Sequence, residues 1–210
     1  MTARTDAAWI FGYGSLMWRP GFAFAQRRSA LLTGYHRAFC RISWRHRGTP
    51  ERPGMVLGLL PGGTCRGVAF LPAPDRGAAV LAYLDEREGA GYRRVLLPLR
   101  LDGAPGPQPA QAWIYLPDAD HPTYRADLPR ERMVQLLATG VGESGAARDY
   151  LAELIGHLQA LHAGDRALEE LLRAVDAHRA KHGGNGAPDE SAPDALNHVA
   201  TAAGASADTP

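Results

Sequence analysis

Lysine is almost missing from this chain of 210 residues: Lys181 is the only one, and arginine supplies the rest of the 23 basic side chains. A GC-rich coding sequence gives that bias without any functional demand. The 22 acidic residues bring the net charge to +1, so no cationic footprint argues for a nucleic-acid partner. Cysteine is scarce as well. Cys40 and Cys65 stand alone, without CxxC spacing, and so form neither a disulfide framework nor a zinc site. No run approaches the ~18 apolar residues that a membrane-spanning helix needs. The opening "MTARTDAAWIFGYGS" has no apolar core of signal-peptide length. There is no internal repeat. A soluble, cytoplasmic protein with reduced thiols and no membrane partner is expected. Hydrophobic residues make up 45% of the chain, enough for one core, and the length suits one domain with a tail.

What is present falls into strands first and helices after. Residues 1–7 are small and polar and are expected to be disordered. "AWIFGYGSL" reads as a short buried strand running into a glycine turn. Residues 29–43 have strand-like stretches broken by Gly34, and "RHRGTPERPG" (45–54) reads as a polar loop. "MVLGLLP" (55–61) and "CRGVAFLP" (65–72) predict two strands joined as a hairpin at Gly62-Gly63. Asp75 is expected to cap a helix from Arg76 to Glu88. Residues 92–101 and 110–117 predict two more strands. Amphipathic patterns then predict helices over 128–140, 146–163 and 166–182. From Gly183 the chain is Gly, Ala, Pro, Asp and Ser without an aromatic residue, and 183–210 is expected to be a disordered tail. The domain therefore spans 8–182. This order of elements predicts an α+β domain with a barrel-like or strongly curved sheet.

Two stretches offer chemistry. In "FGYGSL" (11–16) two glycines flank Tyr13 and Ser15 follows. Such a turn lets backbone approach a ligand closely and aim N–H groups at an anion, or it is a plain tight turn. Met17 stands where a dinucleotide fingerprint needs its third glycine, and Ser15 is not in a GxSxG elbow. In "YLDEREGAGYRR" (83–94) Glu88 continues the helical stripe of Val80, Leu81 and Leu84. A carboxylate at the edge of a core has its pKa raised by desolvation and can accept a proton near neutral pH. Alternatively it bends to solvent or pairs with Arg93 or Arg94. Asp85, Glu86 and Arg87 read as a solvated, partly self-paired face. Arg45, His46 and Arg47 either hold a substrate carboxylate or are solvated. His178 and His182 have i, i+4 spacing but no third ligand nearby, so no metal site is expected.

Together "WIFGYGSLMWRPGF", "RHRGTPERPG", "GVAFLP", "YLDEREGAGYRR" and "GESGAARDYL" resemble the ChaC family of γ-glutamylcyclotransferases, in the family's order and over residues 8–180. The resemblance implies a γ-glutamylcyclotransferase-like mixed β-barrel with surrounding helices and a helical C-terminal part. It implies cleavage of glutathione to 5-oxoproline and cysteinylglycine without cofactor or metal. The family's catalytic glutamate falls on Glu88, and its glycine loop falls on Tyr13, Gly14, Ser15 and Leu16 as substrate-binding residues. The tyrosine of the family's serine-glycine and "EYL"-like motif falls on Tyr150, which the resemblance makes a candidate lining residue of the pocket. Ala147 replaces a frequent Asn, and Trp44-Arg45 replace a Thr-Asp pair, so the strictness of the glutathione preference stays open. The alternatives are a cyclotransferase for other γ-glutamyl amino acids or amines, and a non-catalytic module that binds a small molecule.

Overall fold

The computed structural model describes residues 8–103 and 105–183. The disorder expected at 1–7 and beyond Gly183 lies outside the described residues. Five strands close into a barrel in the order β1-β3-β2-β4-β5. They are β1 (Trp9–Gly12), β2 (Phe24–Ser43), β3 (Gly54–Pro72), β4 (Tyr92–Leu101) and β5 (Gln108–Pro117). All neighbouring pairs are antiparallel except β1 with β5, where Trp9 lies opposite Ala112 and Ile10 opposite Trp113. That parallel contact closes the barrel and leaves no free edge among these strands.

The hairpin expected at Gly62-Gly63 is not formed. β3 runs through both glycines and pairs with β2 on either side, Thr33 with Thr64 and Tyr35 with Pro61. Two residues of β3 therefore face the single Gly34 of β2. This is a bulge, which bends a ribbon without reversing it. Positive φ at Gly34, Gly62 and Gly63 absorbs the bend, so three glycines curve one long ribbon. The turn that joins β2 to β3 is the loop over residues 44–53, whose prolines and glycine the sequence marks.

Helix α1 (Gly77–Glu88) crosses between β3 and β4. Its start corrects a second expectation. Asp75 has φ +60 and stands one residue outside, while Arg76 takes the N-cap without a side-chain hydrogen bond. Val80 and Leu84 of α1 pack with Ile10, Leu16 and Tyr115 in a small core of their own. This cluster fastens the helix to β1 and β5.

The C-terminal helices α2 (Arg130–Thr139), α3 (Ala147–Ala160) and α4 (Arg166–His182) pack on one another, with α2 and α3 also against β3, and a two-stranded ribbon, β6 (Val141–Gly142) and β7 (Gly145–Ala146), precedes α3. Tyr150, Leu151, Leu154, Ile155 and Leu158 of α3 are buried, as are Leu168, Leu171 and Val175 of α4. Asp165 caps α4 by accepting from the Leu168 N–H. These side chains join the barrel interior in one core. Each fully buried large aliphatic side chain adds about 1.5–3 kcal/mol.

Candidate active site

Past Gly12 the chain leaves β1 and tightens into a single 3-10 turn, Ser15–Met17. The Met17 N–H donates to the Gly14 carbonyl, and the Arg19 N–H to the Ser15 carbonyl. Arg37 donates from Nε to the Tyr13 carbonyl at 2.6 Å. In a planar trans peptide the N–H points opposite to the C=O, so this contact fixes the direction of the Gly14 N–H. Space at Gly14 is fully used, since a Cβ there would lie 2.7 Å from the Tyr150 hydroxyl. That hydroxyl takes a hydrogen bond from the Ser15 backbone.

A cavity of about 40 Å³ opens beside this turn, lined by Tyr13, Gly14, Ser15, Leu16, Glu88 and Tyr150 together with Phe11, Gly12, Leu57, Tyr92 and Tyr115. The six residues that the family resemblance assigns therefore share one cavity, although they come from the turn after β1, the end of α1 and the first turn of α3. Their side chains differ in availability. The Tyr13 hydroxyl is already donated to the Tyr115 carbonyl at 2.6 Å. Leu16 is also a core residue beside Val80 and Leu84. Tyr92 and Tyr115 were not singled out by the sequence. Each reads there as an ordinary strand residue, and only barrel closure turns them to this cavity.

Glu88 closes α1 at the rim. Its side chain is 23% exposed and stands 3.6 Å from the Arg87 guanidinium. Burial pushes its pKa above the ordinary value, and the fields of Arg87 and then Arg41 only partly oppose this. The escape routes open in the sequence are taken by others, since Arg94 pairs with Asp85 and Arg93 with Asp118. Arg87 corrects another expectation. It is not on a solvated face but reaches the Arg19 carbonyl at 2.6 Å and Ser15 Oγ at 3.3 Å, which ties the end of α1 to the glycine turn. Asp85 is likewise held, accepting from the Tyr115 hydroxyl at 2.7 Å.

The helix stops because Gly89 adopts φ +63 and the chain makes a 3-10 turn through Gly91 into β4. Beyond this turn the cavity continues into a cleft of about 800 Å³, which Glu88, Ser15 and Tyr150 also line. The cationic loop divides here. Arg45 pairs with Glu143 in solvent, whereas Arg47 is 7% exposed and lies on the Tyr150 ring, 4.7 Å from its centroid. Burial pushes the phenols of Tyr13, Tyr92 and Tyr150 upward, so they stay protonated at neutral pH. Cys40 is pushed up to about 12 by burial and is no thiolate nucleophile there. Among the described residues no group of three potential metal ligands is found, and no helix is long and apolar enough to cross a membrane.

A family model for ChaC-like proteins matches residues 8–178. The chain belongs to the ChaC-like family. Among curated proteins, this ChaC-like chain is 35% identical over 169 residues to the glutathione-specific γ-glutamylcyclotransferase of Escherichia coli K12, covering 80% of the chain and 72% of that relative. It is 35% identical over 174 residues to human glutathione-specific γ-glutamylcyclotransferase 1, covering 81% and 77%. Its fold matches the crystal structure of a yeast γ-glutamylcyclotransferase specific to glutathione, with a TM-score of 0.76 and 24% identity over 84% of this chain and 99% of that one. The ChaC-like chain thus has the γ-glutamylcyclotransferase fold, an α+β barrel with helices around it.

Proposed function

We propose that the protein cleaves glutathione by cyclising its γ-glutamyl group, releasing 5-oxoproline and cysteinylglycine, with Glu88 moving the proton. The observation behind this reading is the position of Glu88. It is the one carboxylate among the described residues that lines the small cavity, and burial raises its pKa. The names of the bacterial and human relatives, both glutathione-specific cyclotransferases, point the same way.

A γ-glutamyl amide contains its own nucleophile, because the α-amino nitrogen can reach the γ-carbonyl carbon through a five-membered ring. Glu88 takes one proton from the ammonium group. The freed nitrogen lone pair attacks the carbonyl, whose oxygen takes the negative charge of the tetrahedral intermediate. Collapse breaks the γ-amide bond as Glu88 returns its proton to the departing nitrogen, and the second proton that the ring nitrogen sheds passes by the same carboxylate to the freed amine, so that 5-oxoproline keeps one N–H and cysteinylglycine leaves as an ammonium. The scheme needs no protein nucleophile, metal or cofactor. Backbone N–H groups of the Gly12–Leu16 turn hold the substrate and face the oxyanion, each such donor supplying about 3 kcal/mol. Holding amine and carbonyl in ring-closing geometry accounts for about 7–11 kcal/mol. Tyr13 and Tyr150 shape the walls around the glutamyl head. The unpaired thiols of Cys40 and Cys65 suit a cytoplasmic site of action.

The test is product analysis after incubation with glutathione and no added metal. Equal amounts of 5-oxoproline and cysteinylglycine are expected. Free glutamate in place of 5-oxoproline, or no cleavage, would overturn the reading.

A further inference from the structure

Two tyrosines of the small cavity each have an arginine on one ring face. The Arg41 guanidinium carbon is 4.3 Å from the Tyr92 centroid, and Arg47 holds the matching position on Tyr150. Both arginines line the larger cleft. The other arginines of that cleft are already neutralised, Arg19 by Glu153, Arg45 by Glu143 and Arg87 by Glu88. Among the described residues no carboxylate pairs with Arg41 or Arg47. Arg47 gives Nη1 to the Ala146 carbonyl and stands at the glycine-turn end, because its tyrosine touches Gly14.

Arg41 stands instead beside the turn that leads from Glu88 into β4, against Gly91 and Tyr92. It is 9% exposed. Its Nε and Nη2 both donate to Thr123 Oγ1, at 3.2 and 2.8 Å. Tyr92 covers one face, and Gly91 lies so close that a Cβ there would overlap the guanidinium. Every one of these partners is neutral. His121, the nearby imidazole, is pushed toward its neutral form by burial and by Arg41 itself. Glu88 also lines this cleft and feels the field of Arg41, but the two form no ion pair. A cation this buried costs stability unless an anion meets it, and a guanidinium still has N–H donors left after one hydroxyl is served. The open side is the cleft.

A substrate whose glutamyl head fills the small cavity sends its leaving group past Glu88 into the cleft. For glutathione that group is a dipeptide ending in a carboxylate, about 7 Å of extended chain beyond the cleaved bond. We infer that Arg41 receives this terminal carboxylate and thereby selects leaving groups with an anionic end over γ-glutamylamines and neutral amides. The inference rests on the glutathione-cleavage reading above and deepens it.

The test compares glutathione with its glycine ethyl ester as substrates for the wild type, Arg41→Gln and Arg41→Lys. The readout is the ratio of kcat/KM for acid over ester. Any effect of Arg41 on Glu88 acts on both substrates and cancels in the ratio, and ester turnover shows that each variant is folded. The wild type is expected to prefer the acid. Arg41→Gln should lower that preference about 10- to 100-fold, through a higher KM for glutathione, and Arg41→Lys should retain part of it. Equal acid and ester efficiency in the wild type, or an unchanged ratio in Arg41→Gln, would overturn the role of Arg41 and leave glutathione cleavage standing. A wild type that forms no 5-oxoproline from glutathione would overturn both.

Discussion

Gly14 and Tyr150, far apart in the sequence, are packed so tightly that a single added methyl group at Gly14 would lie 2.7 Å from the Tyr150 hydroxyl. The ring cannot easily yield. Phe39 meets it edge-on at 6.1 Å, Trp18 lies tilted at 6.0 Å, and Arg47 covers a face. Gly14→Ala should therefore displace the turn rather than the tyrosine. A misplacement of about 1 Å costs about 100-fold in rate, so kcat/KM for 5-oxoproline formation should fall by about that factor. Tyr150→Phe removes the clashing oxygen. The double variant should thus be less impaired than the product of the two single effects. Strictly multiplicative losses would show that the two positions act separately.

The pH dependence follows from the same burial. A base must be ionised to act, and burial moves the Glu88 ionisation above its ordinary value of 4.5. The acid limb of kcat/KM reports this group in the free enzyme, so activity should be lost at a higher pH than an ordinary glutamate would give. An acid limb at or below the ordinary carboxylate range would contradict the account.

Stability should move in the opposite sense. Because the folded protein holds the Glu88 proton more tightly than the unfolded chain, Glu88 favours folding below the unfolded pKa and loses that contribution as pH rises through the folded value. Glu88→Gln cannot ionise. Its Tm should exceed that of the wild type at pH 7, with the gap closing toward pH 4. Thermal melts at the two pH values check this, and an equal or lower Tm at pH 7 would oppose it.

Helix α1 is fixed to the barrel by Leu84, one turn before Glu88 and fully buried against Ile10, Leu16, Val80 and Tyr115. Leu84→Ala should cost about 2–5 kcal/mol of stability. It should also loosen the placement of Glu88. Urea unfolding measures the first effect, and kcat for glutathione measures the second. A stable variant with wild-type kcat would show that α1 is positioned by other contacts, Arg87 first among them.

Local patterns were enough to read the helices, the stripe of Val80, Leu84 and Glu88, and the turn at Gly12–Leu16. Long-range geometry was not readable. A Gly-Gly pair between two apolar runs looks the same whether it reverses a hairpin or bends a ribbon, and Gly34, which decides the matter, lies on a different strand. Tyr92, Tyr115 and Arg41 carry no local signal and enter the site only through the long-range pairing of the barrel strands, and Arg47, legible only as part of a cationic loop, is set apart from Arg45 by its place on the Tyr150 ring of α3. Arg87 misled for a related reason. Its neighbours are charged, but its partners, Ser15 and the Arg19 carbonyl, come from another element.

On the proposed mechanism Glu88 moves the proton between the α-amino group and the leaving amine. Glu88→Gln keeps the size and hydrogen-bonding reach of the side chain but cannot accept a proton. The direct measurement is the initial rate of 5-oxoproline release from glutathione by purified Glu88→Gln, alongside a binding titration with glutathione. The rate should fall by about 100- to 10,000-fold while the variant still binds glutathione. Release of 5-oxoproline at the wild-type rate would contradict it.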